Sequence, residues 1–89
     1  MHLILYAKPG CHLCEGLQEK LEQCLHQEDF AGVELVVRDI TTREDWFAAY
    51  EYEIPVLTKE IEGKEQILPR PSPRTSPRQL EKLLRKYGF

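Results

Sequence analysis

Two cysteines three residues apart, Cys11 and Cys14, stand where a short apolar run gives way to a helical pattern. A C-x-x-C pair at the mouth of a helix suits thiol–disulfide exchange, because free backbone N–H groups and the positive end of the helix dipole stabilise a thiolate there. Thiols so placed reach pKa values of roughly 3.5–7.5. Cys11, at the helix start, faces the loop and is the expected attacker. Cys14, one turn on and about 100° from Leu13 by helix geometry, lies at the edge of the apolar stripe and is the expected resolver. The chemistry needs both: an accessible thiolate forms a mixed disulfide, and a neighbouring thiol releases it. Lys8 and a protonated His12 push towards the thiolate. For His12 two readings stay open, a plain exposed side chain or a stabiliser of the Cys11 thiolate that favours the reduced pair and makes a stronger oxidant.

The elements that must position this pair follow from periodicity and punctuation. Leu3-Ile4-Leu5-Tyr6 has strand length and Pro9-Gly10 interrupts it. Leu13, Leu17, Leu21, Cys24 and Leu25 then form one apolar stripe of a helix. After a turn at Gly32, residues 33–39 alternate as a strand, with Val33, Leu35 and Val37 on one face and Val36 on the other. Such a strand is expected to be covered by helices on both sides, so residues 3–38 make a right-handed βαβ unit. Thr41 and Thr42 each precede an acid by three residues, which predicts overlapping capping boxes at the start of a second helix with Trp46, Phe47 and Tyr50 on its apolar side.

Pro55 opens a short strand, where it sacrifices no central ladder bond, and nothing local in the sequence specifies a cis Ile54–Pro55 bond. Glu62-Gly63-Lys64 turns a hairpin between residues 56–59 and 66–68. Pro69-Arg70-Pro71-Ser72-Pro73 is a stiff connector. Ser76-Pro77-Arg78-Gln79 caps a last helix that carries Leu80, Leu83, Leu84 and Tyr87 and ends at Gly88. The predicted order is β-α-β-α-β-β-α.

Composition sets the outer bounds. Eighty-nine residues with 42% hydrophobic content fit a single globular domain, residues 1–89. Net charge is −3 but uneven: residues 1–68 hold 6 Lys/Arg against 14 Asp/Glu, and residues 69–89 hold 6 against 1. The basic tail has no aromatic interleaving beyond Tyr87 and Phe89, which reads as a solvated face rather than a nucleic-acid surface. No apolar run reaches the ~18 residues of a membrane span, and Met1 does not open a signal-peptide pattern. The expectation is a soluble cytoplasmic protein with no membrane association. Three cysteines, an odd count, suit a reducing compartment. A zinc site would need ligands from Cys24, His2, His12 and His26, but Cys24 falls on the apolar helix face and His26 on the polar one, so no metal site is expected.

The element order, the C-x-x-C at the first strand-to-helix junction and the proline opening the third strand resemble the thioredoxin-like superfamily. The run from Tyr6 to Cys14, with Ile54-Pro55-Val56, resembles glutaredoxin-like proteins over essentially the whole chain. The resemblance implies an α/β fold of glutaredoxin type, a four-stranded mixed sheet flanked by helices. It makes Cys11 the nucleophile, Cys14 the resolving thiol, and Pro55 a cis-proline packed opposite the disulfide. The Ile54 backbone would pair with bound peptide or glutathione, and Lys8 would meet a glutathione carboxylate. Two features depart from the family. His12-Leu13 replaces the usual Pro-Tyr, and residues 68–73 lack the Gly-Gly turn and polar pair that grip glutathione, leaving Thr75, Ser76 and the last helix start as a substitute carboxylate site.

The function this implies is dithiol exchange contributing to cell redox homeostasis. Its substrates would be protein or small-molecule disulfides, with glutathione as co-substrate or a thioredoxin-type reductase as electron donor. The protein would be a monomer with no bound cofactor. The alternative is a non-catalytic thioredoxin-fold module that senses redox state or binds a partner through Ile54-Pro55 and the basic tail. Glutathione-ligated iron–sulfur carriage commonly goes with a single active-site cysteine in this superfamily, and Cys14 argues against it.

Overall fold

Apolar residues 3–7 place the first strand in the middle of the sheet, buried on both faces, in the computed structural model, which describes residues 1–89. The elements are β1 (His2–Ala7), α1 (His12–Leu25), β2 (Glu34–Asp39), α2 (Glu44–Tyr50), β3 (Val56–Ile61), β4 (Lys64–Ile67) and α3 (Pro77–Lys86). Strand order is β2-β1-β3-β4. β1 runs parallel to β2 and antiparallel to β3, and β4 returns antiparallel to β3. The hairpin closes on a two-residue turn with φ of 54° at Glu62 and 78° at Gly63. Positive φ at both positions marks the turn type whose twist matches the flanking strands. This is the mixed four-stranded α/β sheet that the sequence predicts.

On one face of the sheet, Leu3, Leu5 and Leu57 pack with Leu17, Leu21 and Cys24 of α1 and Leu80 and Leu84 of α3. On the other, Ile4, Tyr6, Ile40 and Val56 meet Trp46 and Tyr50 of α2. The cap of α3 forms as its motif predicts: Ser76 Oγ accepts from the Gln79 N–H at 3.2 Å and Gln79 Oε1 accepts from the Ser76 N–H at 2.9 Å. Gly88 is favoured by its backbone, and a side chain there would also have to displace the Lys59 ammonium. The Gly88 φ is 88°, and a Cβ there would lie 2.6 Å from Nζ of the buried Lys59, which donates to the Tyr87 carbonyl and ties the chain end to the sheet.

Three local expectations are corrected. Leu13 is 54% exposed, so the buried stripe of α1 runs Cys14, Leu17, Leu21 and Cys24. Packing of Cys14 against the core sets the helix phase and turns Leu13 outward. β2 is an edge strand with no fully buried residue and Val37 exposed, because residue alternation does not distinguish a strand with one neighbour from one with two. The capping boxes at Thr41 and Thr42 do not form. Asp39 Oδ1 instead accepts from the Thr41 N–H (2.9 Å) and hydroxyl (2.6 Å), and the Thr42 hydroxyl donates to the Asp39 carbonyl (2.7 Å). This holds residues 40–42 as a 3₁₀ turn, so α2 starts only at Glu44, is seven residues long, and leaves Phe47 exposed.

So short a helix leaves part of its face of the sheet to polar groups. Tyr6 donates to Glu65 at 2.6 Å, Thr58 donates to the same oxygen at 2.8 Å, and Arg38 donates to the Tyr6 hydroxyl at 2.7 Å. Burial, reinforced by the Glu65 bond, pushes the Tyr6 pKa up to about 12. Burial opposes ionisation of Glu65 too, but bonds from Tyr6 and Thr58 and the Arg38 charge outweigh it and hold the carboxyl below its usual range.

The packing makes Leu21→Ala cost about 2–5 kcal/mol in urea unfolding, the range for a buried leucine, while Leu13→Ala stays within about 0.5 kcal/mol. Equal losses would mean that the stripe is centred on Leu13. The depressed Glu65 pKa fixes a sign: its contribution is in place above the ~4.3 of an unfolded glutamate and fades as pH falls through the folded value. Glu65→Gln is therefore expected to lose about 1–2 kcal/mol at pH 7 and less at an acid pH below the ~4.3 of an unfolded glutamate. A deficit of the same size at both pH values contradicts the linkage.

Candidate functional site

β1 delivers the chain to a tight loop in which Gly10 has φ of 81° and the Cys11 N–H reaches the Lys8 carbonyl at 3.3 Å. Cys11 is then the N-cap of α1, with φ −87° and ψ 99°. Its carbonyl accepts from the Glu15 N–H at 3.0 Å, and its Sγ accepts from the Cys14 N–H at 3.2 Å. The sulfur thus takes the place that a serine or aspartate oxygen takes in other helix caps. Cys11 and Cys14 are joined as a disulfide across a Cα–Cα distance of 5.3 Å. The two sulfurs differ in exposure. Cys14 is 2% exposed, while Cys11 is half-buried and packs against the core from its rim. When the bond is reduced, the cap bond falls on the accessible sulfur and, if that sulfur is a thiolate, becomes charge-assisted.

A cleft of about 210 Å³ opens at His12 and Leu13, the two residues between the cysteines. One wall is His12, Leu13, Gly16, Leu17 and Lys20 of α1; the other is Pro55 with the connector residues Arg70, Pro71, Ser72 and Pro73. Ile54–Pro55 is cis. Lys20 Nζ donates to the Pro73 carbonyl at 2.8 Å and so fastens the connector to α1. Arg70 fastens it to the other wall, donating to the carbonyls of Glu53 and, at 3.2 Å, Ile54.

The residues singled out in the sequence fare unequally. His12 and Pro55 line the cleft on its two walls, and Cys11 and Cys14 bracket the His12-Leu13 segment of one wall without lining the cleft themselves. Both Ile54 backbone groups, expected to face a ligand, are engaged within the chain, the N–H with the Tyr50 carbonyl at 3.1 Å and the carbonyl with Arg70. The reason is that the turn ending α2 captures the amide and the connector lays a guanidinium on the oxygen. His12 has a 94% exposed side chain, with Nδ1 3.6 Å from the Glu15 carboxylate. Lys8 is exposed and outside the cleft wall. Thr75 and Ser76 are also outside it: the Thr75 N–H donates to Ser72, and the Ser76 hydroxyl is spent on the Gln79 amide.

Lys20 and Arg70 were not among the residues singled out. A signal for Lys20 was present, since Leu13, Gly16, Leu17 and Lys20 follow i, i+3, i+4, i+7 spacing and share one helix face. For Arg70 the only cue was its place between two prolines. No three His, Cys, Asp or Glu side chains cluster as a metal site. Cys24 donates to the Pro77 carbonyl at 2.9 Å, and burial pushes its thiol pKa up, which keeps it a protonated core donor. No helix is long and apolar enough to cross a membrane.

Comparisons with known proteins agree with this fold. A family model described as Glutaredoxin-like domain (DUF836) matches residues 2–85. Among solved structures, a structural-genomics target protein from X. campestris is 25% identical, with a TM-score of 0.63 over 94% of this chain and 96% of that one. Thioredoxin 1 from Thermosipho africanus TCF52B shares the fold at 15% identity, with a TM-score of 0.66 over 98% of this chain and 93% of its own. A malarial protein does so at 13% identity, with a TM-score of 0.66 over 99% and 97%. No curated protein matches the chain.

The cap geometry predicts that reduced Cys11 titrates well below the ~8.5 of a free thiol, followed as thiolate absorbance near 240 nm with Cys14→Ser as the single-thiol reference. His12→Gln is expected to move that value by less than about 0.5 units, because a side chain exposed to water and facing a carboxylate acts weakly. A larger shift would return His12 to the role of thiolate stabiliser.

Proposed function

The chain belongs to the glutaredoxin-like domain family, and from that premise we propose that it is a thiol–disulfide oxidoreductase working by dithiol exchange through Cys11 and Cys14. The observation that carries this reading is the inequality of the two sulfurs: one half-exposed at a helix cap with an N–H directed at it, the other buried one turn behind. The Cys11 thiolate attacks one sulfur of a substrate disulfide. That S–S bond breaks, the departing thiolate takes a proton, and a mixed disulfide remains on Cys11. Cys14 then loses its proton and attacks the Cys11 sulfur. The second substrate thiol leaves, and two electrons have passed from the cysteine pair to the substrate.

Glutathione or a thioredoxin-type reductase returns two electrons to the Cys11–Cys14 disulfide. The steps call on no metal and no organic prosthetic group, and a monomer supplies every residue they use. Protein or small-molecule disulfides are the substrates, and cell redox homeostasis in the cytoplasm is the role that fits.

Turnover in a coupled disulfide-reduction assay tests the proposal. Cys11→Ser is expected to bring activity to background. Cys14→Ser should still attack through Cys11 and accumulate a mixed disulfide, seen as an adduct by intact mass spectrometry and released by dithiothreitol. A wild-type protein that binds disulfide-bearing partners but reduces none would instead be the non-catalytic partner-binding module.

A further inference from the structure

The sheet has two open edges, and they are not alike. β4 is four residues long and runs into Pro69, which has no N–H to donate, so that edge is blunted. β2 is six residues long, carries no proline, glycine or lysine, and pairs with β1 without a break from Glu34 to Asp39. The Glu34 N–H donates inward to the Met1 carbonyl at 2.9 Å. Strand alternation then turns the backbone groups of Val36 and Arg38 inward as well, and those of Leu35 and Val37 outward with no partner in the chain. Val37, the strand's most exposed apolar side chain, sits on this rim. Two such edges can meet antiparallel without a bulge in registers centred on Leu35, Val36 or Val37. Centred on Leu35 or Val37, the pairing sets Glu34 or Arg38 opposite Val36. Centred on Val36, it sets Leu35 opposite Val37, Val36 opposite itself and Glu34 opposite Arg38, so apolar meets apolar inside and opposite charges meet at both ends.

We propose that two copies of the chain pair β2 with β2 antiparallel in the register centred on Val36, joining two four-stranded sheets into one continuous sheet. The interface is self-complementary, so the assembly closes at two copies. Leu35 and Val37 exchange backbone hydrogen bonds on each side of the axis. Val36 and the charge pairs take the non-hydrogen-bonded positions, where side chains approach more closely. The Glu34 carboxylate is exposed and meets only His2 Nε2, at 3.2 Å, and Arg38 spends only Nη1 on hydrogen bonds within its chain, so both retain capacity for the second copy. A six-residue edge buries less than the ~800 Å² per partner of a stable complex, which makes this dimer a reversible one. Each copy keeps its own Cys11–Cys14 pair, so the pairing adds to the exchange chemistry and does not rest on it.

Sedimentation equilibrium of the reduced protein, from about 10 μM to about 1 mM, reads the association. The wild type is expected to pass from monomer to dimer across this range and to go no further. Glu34→Lys sets like charges opposite each other at both ends and is expected to weaken association by about 10-fold at low salt. Raising NaCl to about 0.5 M should weaken the wild-type dimer and strengthen that of the variant, an opposite response that a folding defect would not produce. Register is read in a Cys11→Ser, Cys14→Ser background in which Val36→Cys and Val37→Cys are each oxidised with copper phenanthroline. Facing copies of residue 36 lie at a Cα separation of about 4.5 Å, inside the disulfide range, whereas residue 37 faces Leu35. Val36→Cys is therefore expected to cross-link about 10-fold faster, although Val37 is the more exposed position. A monomer at every concentration, equal cross-linking at the two positions, or a salt response of the same sign in both proteins overturns the proposal. Assemblies that grow beyond two copies assign the contact to β2 against β4 and overturn it as well.

Discussion

The structure depends on one constraint, that a strand buried on both faces must hand the chain to a helix within four residues. Residues 3–7 of β1 are fixed between α1 and α3 on one side and α2 on the other. Lys8-Pro9-Gly10-Cys11 has no slack, and Gly10 absorbs the reversal with a positive φ. Cys11 is consequently pinned at the helix cap while Cys14 is drawn into the core one turn later. Packing thus creates the difference between the sulfurs, and the attack and release steps follow from that difference.

The two faces of the sheet are stabilised differently, and this shapes what the surface offers. The α1/α3 face is apolar apart from Cys24, which spends its thiol on a carbonyl, and the buried Lys59, whose ammonium donates to the Tyr87 carbonyl. The α2 face mixes Ile4, Ile40 and Val56 with the Tyr6–Arg38–Glu65–Thr58 network, each member having at least one partner in it. A helix of seven residues cannot cover four strands, and a satisfied polar network fills the remainder without leaving a buried group unpaired. Arg38 also lies 5.1 Å from the centroid of the Trp46 ring, which joins the network to α2.

The connector from Pro69 to Pro73 does more than join β4 to α3. It supplies one wall of the cleft and the Arg70 guanidinium, and it is fastened at both ends by cation-to-carbonyl bonds. The α3 start, which a carboxylate would otherwise find open, is closed by the reciprocal bonds of Ser76 and Gln79. The cationic groups facing the cleft therefore come from side chains on the connector and α1 rather than from helix-terminal amides.

The element order, the place of the C-x-x-C, the hairpin turn and the Ser76 cap were legible in the residues alone, because each is dictated within a few positions: apolar period, φ preferences of glycine and proline, and a hydroxyl three residues from its amide partner. The family resemblance also implied the cis Ile54–Pro55 bond. What only the tertiary structure decided involves partners distant in sequence. The phase of α1 follows from Cys14 seating in the core and the edge position of β2 from which strands found β1. The loss of the Thr41 and Thr42 boxes is by contrast a local contest, won by Asp39 two and three residues upstream over the acids three residues downstream. The meeting of Arg70 with Ile54, sixteen residues away, has no local signature. Spacing along a chain reports what a residue's neighbours permit, whereas a long cation finds its acceptor only once packing has brought two segments together.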